Sequence, residues 1–106
     1  VALKQSEAEE APAEALALME NAMGFALAAQ NKYPAAIRHY RSAIKAKTDY
    51  PVALNNLAFA LEKQGKVEES RQTYQQVLAQ DPGNKTAQKR LKSLDRRAGI
   101  PTDKVA

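Results

Sequence analysis

The chain has 106 residues, enough for one small domain, and its lack of cysteine excludes disulfides and thiolate chemistry. Alanine supplies much of the 44% hydrophobic content and aromatics only 6%, a balance that suits closely packed helices better than a β core. The net charge of +4 is polarised, −4 over residues 1–20 and +5 over residues 83–106, which either steers a partner or reflects solvated helix faces.

The chain opens on Val1 and is expected to be a fragment or a processed form. Glu7, Glu9, Glu10 and Glu14 do not suit a signal peptide. Residues 1–11 read as a linker, with a capping box from Ser6 to Glu9 that permits a short extra turn. The first helix is expected near 12–31, starting at Pro12. Its apolar run from Ala22 to Ala29 falls far short of the roughly 20 residues needed to span a bilayer. Asn31 then supplies a left-handed residue, less readily than glycine would.

Pro34 opens a second helix near 34–47, and Thr48-Asp49-Tyr50-Pro51 leads into a third near 51–64. Gly65 offers the left-handed conformation that closes it. A fourth helix near 67–80 begins with Glu68-Glu69, where the macrodipole favours negative charge, and ends at Asp81-Pro82. The fifth, near 84–97, stops at Gly99-Ile100-Pro101, leaving residues 98–106 as a tail. Its exposed side carries Lys89, Arg90, Lys92, Arg96 and Arg97, the polar face that a terminal helix of a solenoid requires.

Shifting the chain by about 34 residues aligns it with itself. Met23-Gly24 falls on Leu57-Ala58, Leu27 on Leu61, Ala36 on Ser70, Tyr40 on Tyr74, Ala43 on Val77 and Ile44 on Leu78. Gln30-Asn31-Lys32 falls on Gln64-Gly65-Lys66. Gly24 and Ala58 are small where a neighbouring helix approaches, Ala36 and Ser70 do the same on the second helix, and Tyr40 and Tyr74 fill the gap between repeats. Two repeats near 19–50 and 51–84 and a capping helix at 85–97 thus make up a domain over 12–97. About three repeats usually make a stable array, so further helices are expected upstream in the full protein.

These residues resemble the tetratricopeptide repeat (TPR), which implies an all-α, right-handed helical solenoid. Departures are Glu20 and Leu54, where the family often has tryptophan, and Thr48 in place of the repeat-ending proline. Asn21-Ala22-Met23-Gly24-Phe25-Ala26, Ala36-Ile37-Arg38, Val52-Ala53-Leu54-Asn55-Asn56-Leu57-Ala58 and Asp81-Pro82-Gly83-Asn84-Lys85-Thr86-Ala87 are similar to a narrower group. It comprises the cyanobacterial and plastid TPR proteins that assist photosystem I assembly. That resemblance implies a non-catalytic scaffold with photosystem I subunits or other assembly factors as partners. It also implies a place on the stromal side of the thylakoid membrane or its cyanobacterial equivalent, with an upstream membrane anchor joined through Val1–Glu10. A general TPR adaptor or co-chaperone for another complex, membrane-bound or cytoplasmic, is the alternative.

TPR proteins hold peptides or helices in a concave groove lined by the first helix of each repeat. By position that groove receives Asn21, Phe25 and Ala28, then Val52, Asn55, Asn56, Phe59 and Lys63, then Thr86, Lys89, Arg90 and Ser93. Asn55 and Asn56 suit hydrogen bonds to a peptide backbone, although Asn56 would equally bridge neighbouring helices. Phe25 and Phe59 either grip an apolar side chain or complete the core. Lys63, Lys89 and Arg90 attract an acidic segment or a terminal carboxylate, or form the solvated face of the cap. Some TPR domains clamp the acidic C-terminal tail of a chaperone, and Asn56 and Arg90 hold two of the matching positions. Asn21, Phe25 and Thr86 replace the others, which argues against that ligand.

Other functions lack their residues. His39 has no second histidine or cysteine with which to hold a metal and, beside Arg38, Arg41 and Lys45, is expected to be exposed. No serine lies in a nucleophile-elbow context and the four glycines are dispersed, so neither an enzyme nor a cofactor is expected. The basic residues of the last helix are not interleaved with aromatics and Asp95 interrupts them, so no nucleic-acid partner is expected.

Overall fold

The computed structural model describes the backbone of residues 2–99 and the side chains of residues 12–99. The side chains of the Ser6–Glu9 capping box and the tail beyond Gly99 lie outside the described residues. Among the described residues five helices follow in order: α1 (Ala2–Ala29), α2 (Tyr33–Ala46), α3 (Pro51–Lys63), α4 (Val67–Gln80) and α5 (Lys85–Arg97). Helices α2 to α5 begin and end within a residue of their expected bounds. Helix α1 does not: it begins at Ala2, and Pro12 sits inside it, not at its start. The residues before Pro12 are mainly alanine, glutamate, glutamine, lysine and leucine. These strong helix formers carry the helix through the hydrogen bond that proline removes. Among the described residues no helix is long and apolar enough to cross a membrane.

Two helix ends show the period most clearly. Asn31 adopts φ 63° and Gly65 φ 79°. At the first, Lys32 N–H donates to Leu27 O at 2.9 Å and Asn31 N–H to Ala28 O at 2.9 Å. At the second, Lys66 N–H donates to Leu61 O at 2.9 Å and Gly65 N–H to Glu62 O at 3.0 Å. Both ends are therefore Schellman turns, which satisfy otherwise orphaned carbonyls and fold α2 and α4 back onto α1 and α3. The fifth helix starts differently: Asn84 Oδ1 accepts from Ala87 N–H at 3.0 Å, a side-chain N-cap.

The hairpins α1–α2 and α3–α4 stack through α2 against α3, and α5 closes on α4. Between α2 and α3 lie Ala36, Ile37, Tyr40, Leu57, Ala60 and Leu61. Around α4 the buried set is Leu54, Ala58, Tyr74, Val77, Ala87 and Leu94. Ile44 packs against both clusters and against a third formed by Ala17, Ala43, Tyr50 and Ala53. Tyr40 and Tyr74, one period apart, are each 1% exposed, as space-fillers between helices should be. Burial pushes the Tyr40 phenol up to about 12 and raises Tyr74 as well. Ser70 is buried at the position of Ala36, and its hydroxyl donates to Ala58 O at 2.7 Å, tying α4 to α3.

Polar contacts lock the hairpins further. His39 is half-buried, not exposed as expected: its Nδ1 lies 2.7 Å from Glu20 Oε1, a hydrogen-bond contact that links α2 to α1. Asp95 does more than interrupt a basic run. Arg71 Nε donates to its Oδ1 at 2.6 Å and Arg71 Nη1 to Glu68 Oε1 at 2.7 Å, joining α4 to α5. The bond to Asp95 is the main reason that Arg71 holds its proton more tightly than usual.

Candidate partner-binding groove

Helices α1, α3 and α5, each the first of its repeat unit, line one side of the stack. Between them runs an open groove of about 310 Å³. Phe25 and Ala28–Ala29 of α1 form one wall, Asn55, Asn56 and Phe59 of α3 the floor, and Thr86 and Arg90 of α5 the other wall. Tyr40 and Tyr74 close the bottom from behind. Phe25 is 62% and Phe59 37% exposed, so neither completes the core. Two aromatic rings one repeat apart thus face solvent in a chain that buries both of its central tyrosines. Such rings offer large apolar area where a partner side chain can enter.

The polar groups around them are already aimed. Asn56 Nδ2 donates to Asn21 Oδ1 at 3.0 Å, bridging α3 to α1. Asn55 Nδ2 donates to the Asn84 cap at 3.1 Å, which leaves Asn55 Oδ1 buried without a hydrogen-bond donor. A buried acceptor in that state gains when a backbone N–H reaches it. The Arg90 guanidinium lies 5.0 Å above the centroid of Phe59, and Lys63 Nζ 5.3 Å from the same centroid. Arg90 Nη2 is also 3.4 Å from Glu62 Oε1, and Arg97 Nη1 is 3.5 Å from Glu62 Oε2. Glu62 Oε1 has this charge contact yet no aligned hydrogen bond. The Glu62 carboxylate therefore holds Arg90 in place across the end of the groove.

The twelve residues assigned to the groove from sequence divide on this surface. Phe25, Ala28, Asn55, Asn56, Phe59, Thr86 and Arg90 meet around the groove. Asn21 reaches it through Asn56, and Lys63 through the Phe59 ring. Val52 is 57% exposed and Lys89 is exposed, but neither they nor Ser93 line the groove. Sequence reasoning placed Tyr40 and Tyr74 only in the core and assigned Glu62 no role. The signal for Glu62 was its spacing, one residue before Lys63 and three after Phe59.

Comparison with known proteins places this geometry in a family. A family profile described as "Tetratricopeptide repeat" matches residues 27–94. The chain is 35% identical over 80 residues to the "Uncharacterized protein ycf37" of Cyanophora paradoxa, covering 76% of this chain and 46% of that protein. It is 32% identical over 91 residues to "Tetratricopeptide repeat domain-containing protein PYG7, chloroplastic" of Arabidopsis thaliana, covering 86% of this chain and 30% of that one. The chain thus spans less than half the length of either relative. Among solved structures, the second TPR domain of human RPAP3, determined in complex with the HSP70 peptide SGPTIEEVD, superposes with a TM-score of 0.72 at 29% identity. That match covers 74% of this chain and 66% of the RPAP3 domain chain.

Proposed function

This chain belongs to the tetratricopeptide-repeat family, and we infer that it holds an extended segment of a partner protein in the groove between α1, α3 and α5. The observation that carries the reading is the pair Phe25 and Phe59, exposed one repeat apart beside the unpaired Asn55 Oδ1. An apolar side chain settles between the rings and its backbone N–H satisfies Asn55. Arg90 and Lys63 favour a negative group nearby. Residues 12–97 act as the binding unit, with 1–11 as connecting sequence and 98–106 as a tail. The mode is adhesion, not catalysis.

The partner we assign is a photosystem I subunit or a fellow assembly factor at the stromal face of the thylakoid membrane or its cyanobacterial equivalent. Support comes from the likeness to PYG7, whose name is chloroplastic, and to ycf37. The RPAP3 likeness favours a second reading, an adaptor for a chaperone tail. Against it, Asn21 and Thr86 stand where a carboxylate clamp would need lysine, and Phe25 where it would need asparagine. Crosslinking mass spectrometry on the protein in its source membranes separates the two. Crosslinks from Lys63, Lys85 or Lys89 to photosystem I subunits are expected. Crosslinks to chaperones alone, or only from Lys45 and Lys47 on α2, would defeat the assignment.

A further inference from the structure

Helix α5 carries six Lys/Arg against one aspartate, and the fold sorts those charges by direction. Arg90 and Arg97 turn to Glu62 of α3, at 3.4 and 3.5 Å. Asp95 turns to Arg71 of α4 at 2.6 Å, and its side chain is only 20% exposed. Ala87, Leu91 and Leu94 pack inward with Tyr74 and Val77 of α4. The side left over holds Lys85, Lys89, Lys92 and Arg96, all exposed. Spaced i, i+4, i+7 and i+11, they fall within an arc of about 60° and extend along roughly 16 Å of helix. Among the described residues, Lys85, Lys89 and Arg96 have no ion-pair partner.

This stripe works against the helix that carries it. Lys85 stands in the first turn, where the macrodipole disfavours a cation, and no acidic residue accompanies it there. Lys85–Lys89 and Lys92–Arg96 are like-charge pairs at i, i+4, which weaken a helix. A cap that served solubility alone would mix signs, so the single sign marks a surface with a negative counterpart. The chemistry of the face selects that counterpart. It has no apolar or aromatic anchor, which a protein hot spot needs. Nor does α5 hold an aromatic ring on which a base would stack. Lysine, three of the four, is a point charge without the fork that seats a fixed carboxylate. A flat row of flexible point charges matches an anionic bilayer surface, where each cation strengthens association about fivefold. We propose that the Lys85–Lys89–Lys92–Arg96 face of α5 lies flat on an anionic lipid surface, held by charge without insertion. The face is separate from the groove, to which α5 gives Thr86 and Arg90, and stands whatever the groove binds.

Co-sedimentation of the full chain with vesicles tests this, using phosphatidylglycerol and phosphatidylcholine in equal parts against pure phosphatidylcholine. Binding to the mixed vesicles alone is expected, and it should be lost as salt rises from about 0.05 M to about 0.5 M. Lys85→Glu combined with Lys89→Glu should weaken it at least about tenfold. Arg38→Glu combined with Lys45→Glu makes the same change of net charge on α2 and should leave binding near that of the parent. All four side chains are exposed, and an unchanged circular dichroism spectrum shows that each variant folds. Failure to bind the mixed vesicles, equal binding to pure phosphatidylcholine, or equal weakening by the two pairs of substitutions would each overturn the proposal. Binding of polyglutamate or duplex DNA through Lys85 and Lys89, with vesicles left unbound, would overturn it too, by assigning the face to an acidic protein or to nucleic acid.

Discussion

Gly24 and Tyr40 share one space: a Cβ built on Gly24 lies 2.7 Å from both Cδ1 and Cε1 of the Tyr40 ring and 3.1 Å from Ala36 O. The ring cannot withdraw, because it is itself enclosed between α1, α2 and α3. Gly24→Ala therefore sets an overpacking cost of about 1–3 kcal/mol against a helix-propensity gain of about 1 kcal/mol. A net loss of about 1 kcal/mol is expected, seen as a melting temperature lower by roughly 4–8 °C. Gly24→Val, bulkier and a poorer helix former, should lose more. A Gly24→Ala variant as stable as the parent would show that the ring has room to move.

Burial of Tyr40 makes a prediction at high pH. Its folded pKa, about 12, lies above the ordinary value of 10.0, so the neutral phenol is the form that folding favours. Its contribution is fully present below pH 10 and is lost as pH rises through 10 toward 12. Tyr74 adds in the same direction. Denaturation midpoints should thus fall steeply across that window, and Tyr40→Phe should flatten part of the fall. A Tyr40→Phe profile that matches the parent would contradict this origin.

The Schellman turns separate two glycines. Gly65 holds φ 79° with open space around it, while Gly83 has neither a positive φ nor a close neighbour. Gly65→Ala should cost about 1–2 kcal/mol from the left-handed backbone alone. Gly83→Ala should stay within about 0.5 kcal/mol of the parent. Equilibrium urea unfolding of the pair reads the difference.

Asn84 caps α5 and also accepts from Asn55, so it links a helix terminus to the groove floor. Asn84→Ala is expected to cost about 0.5–2 kcal/mol and to free the Asn55 amide. Hydrogen exchange should then quicken in the first turn of α5 before it does in α3. Uniform quickening through all five helices would instead mean that the cap has no local role.

Most of the fold was legible in the sequence because each boundary rests on a local signal. Asn31 and Gly65 announced the two Schellman turns, Pro34 and Pro51 the starts of α2 and α3, and the 34-residue spacing of Tyr40 and Tyr74 the stacking. The start of α1 was missed because Pro12 is a strong local stop signal, and only the helix-forming run before it argued otherwise. In the groove, the repeat register put Phe25, Asn55, Asn56, Phe59 and Arg90 on the first helices of their units, where they line one depression. Whether Asn56 faced a ligand or a neighbour depended on Asn21 sitting opposite, a pairing 35 residues away in sequence. The burial of His39 likewise depended on Glu20 in the other helix of its hairpin. Such cross-helix pairs depend on the angle at which helices pack, which no single segment encodes.

The central claim is that the partner sits between Phe25 and Phe59, and a photo-crosslinking amino acid tests it most directly. Installed at position 59 and, in a second variant, at position 45 on α2, it is activated in the protein's source membranes. The account predicts that position 59 captures one dominant partner, that capture falls at least about tenfold when Phe25→Ala is added, and that position 45 captures little. Capture from position 45 alone, or capture at position 59 indifferent to Phe25→Ala, would contradict it.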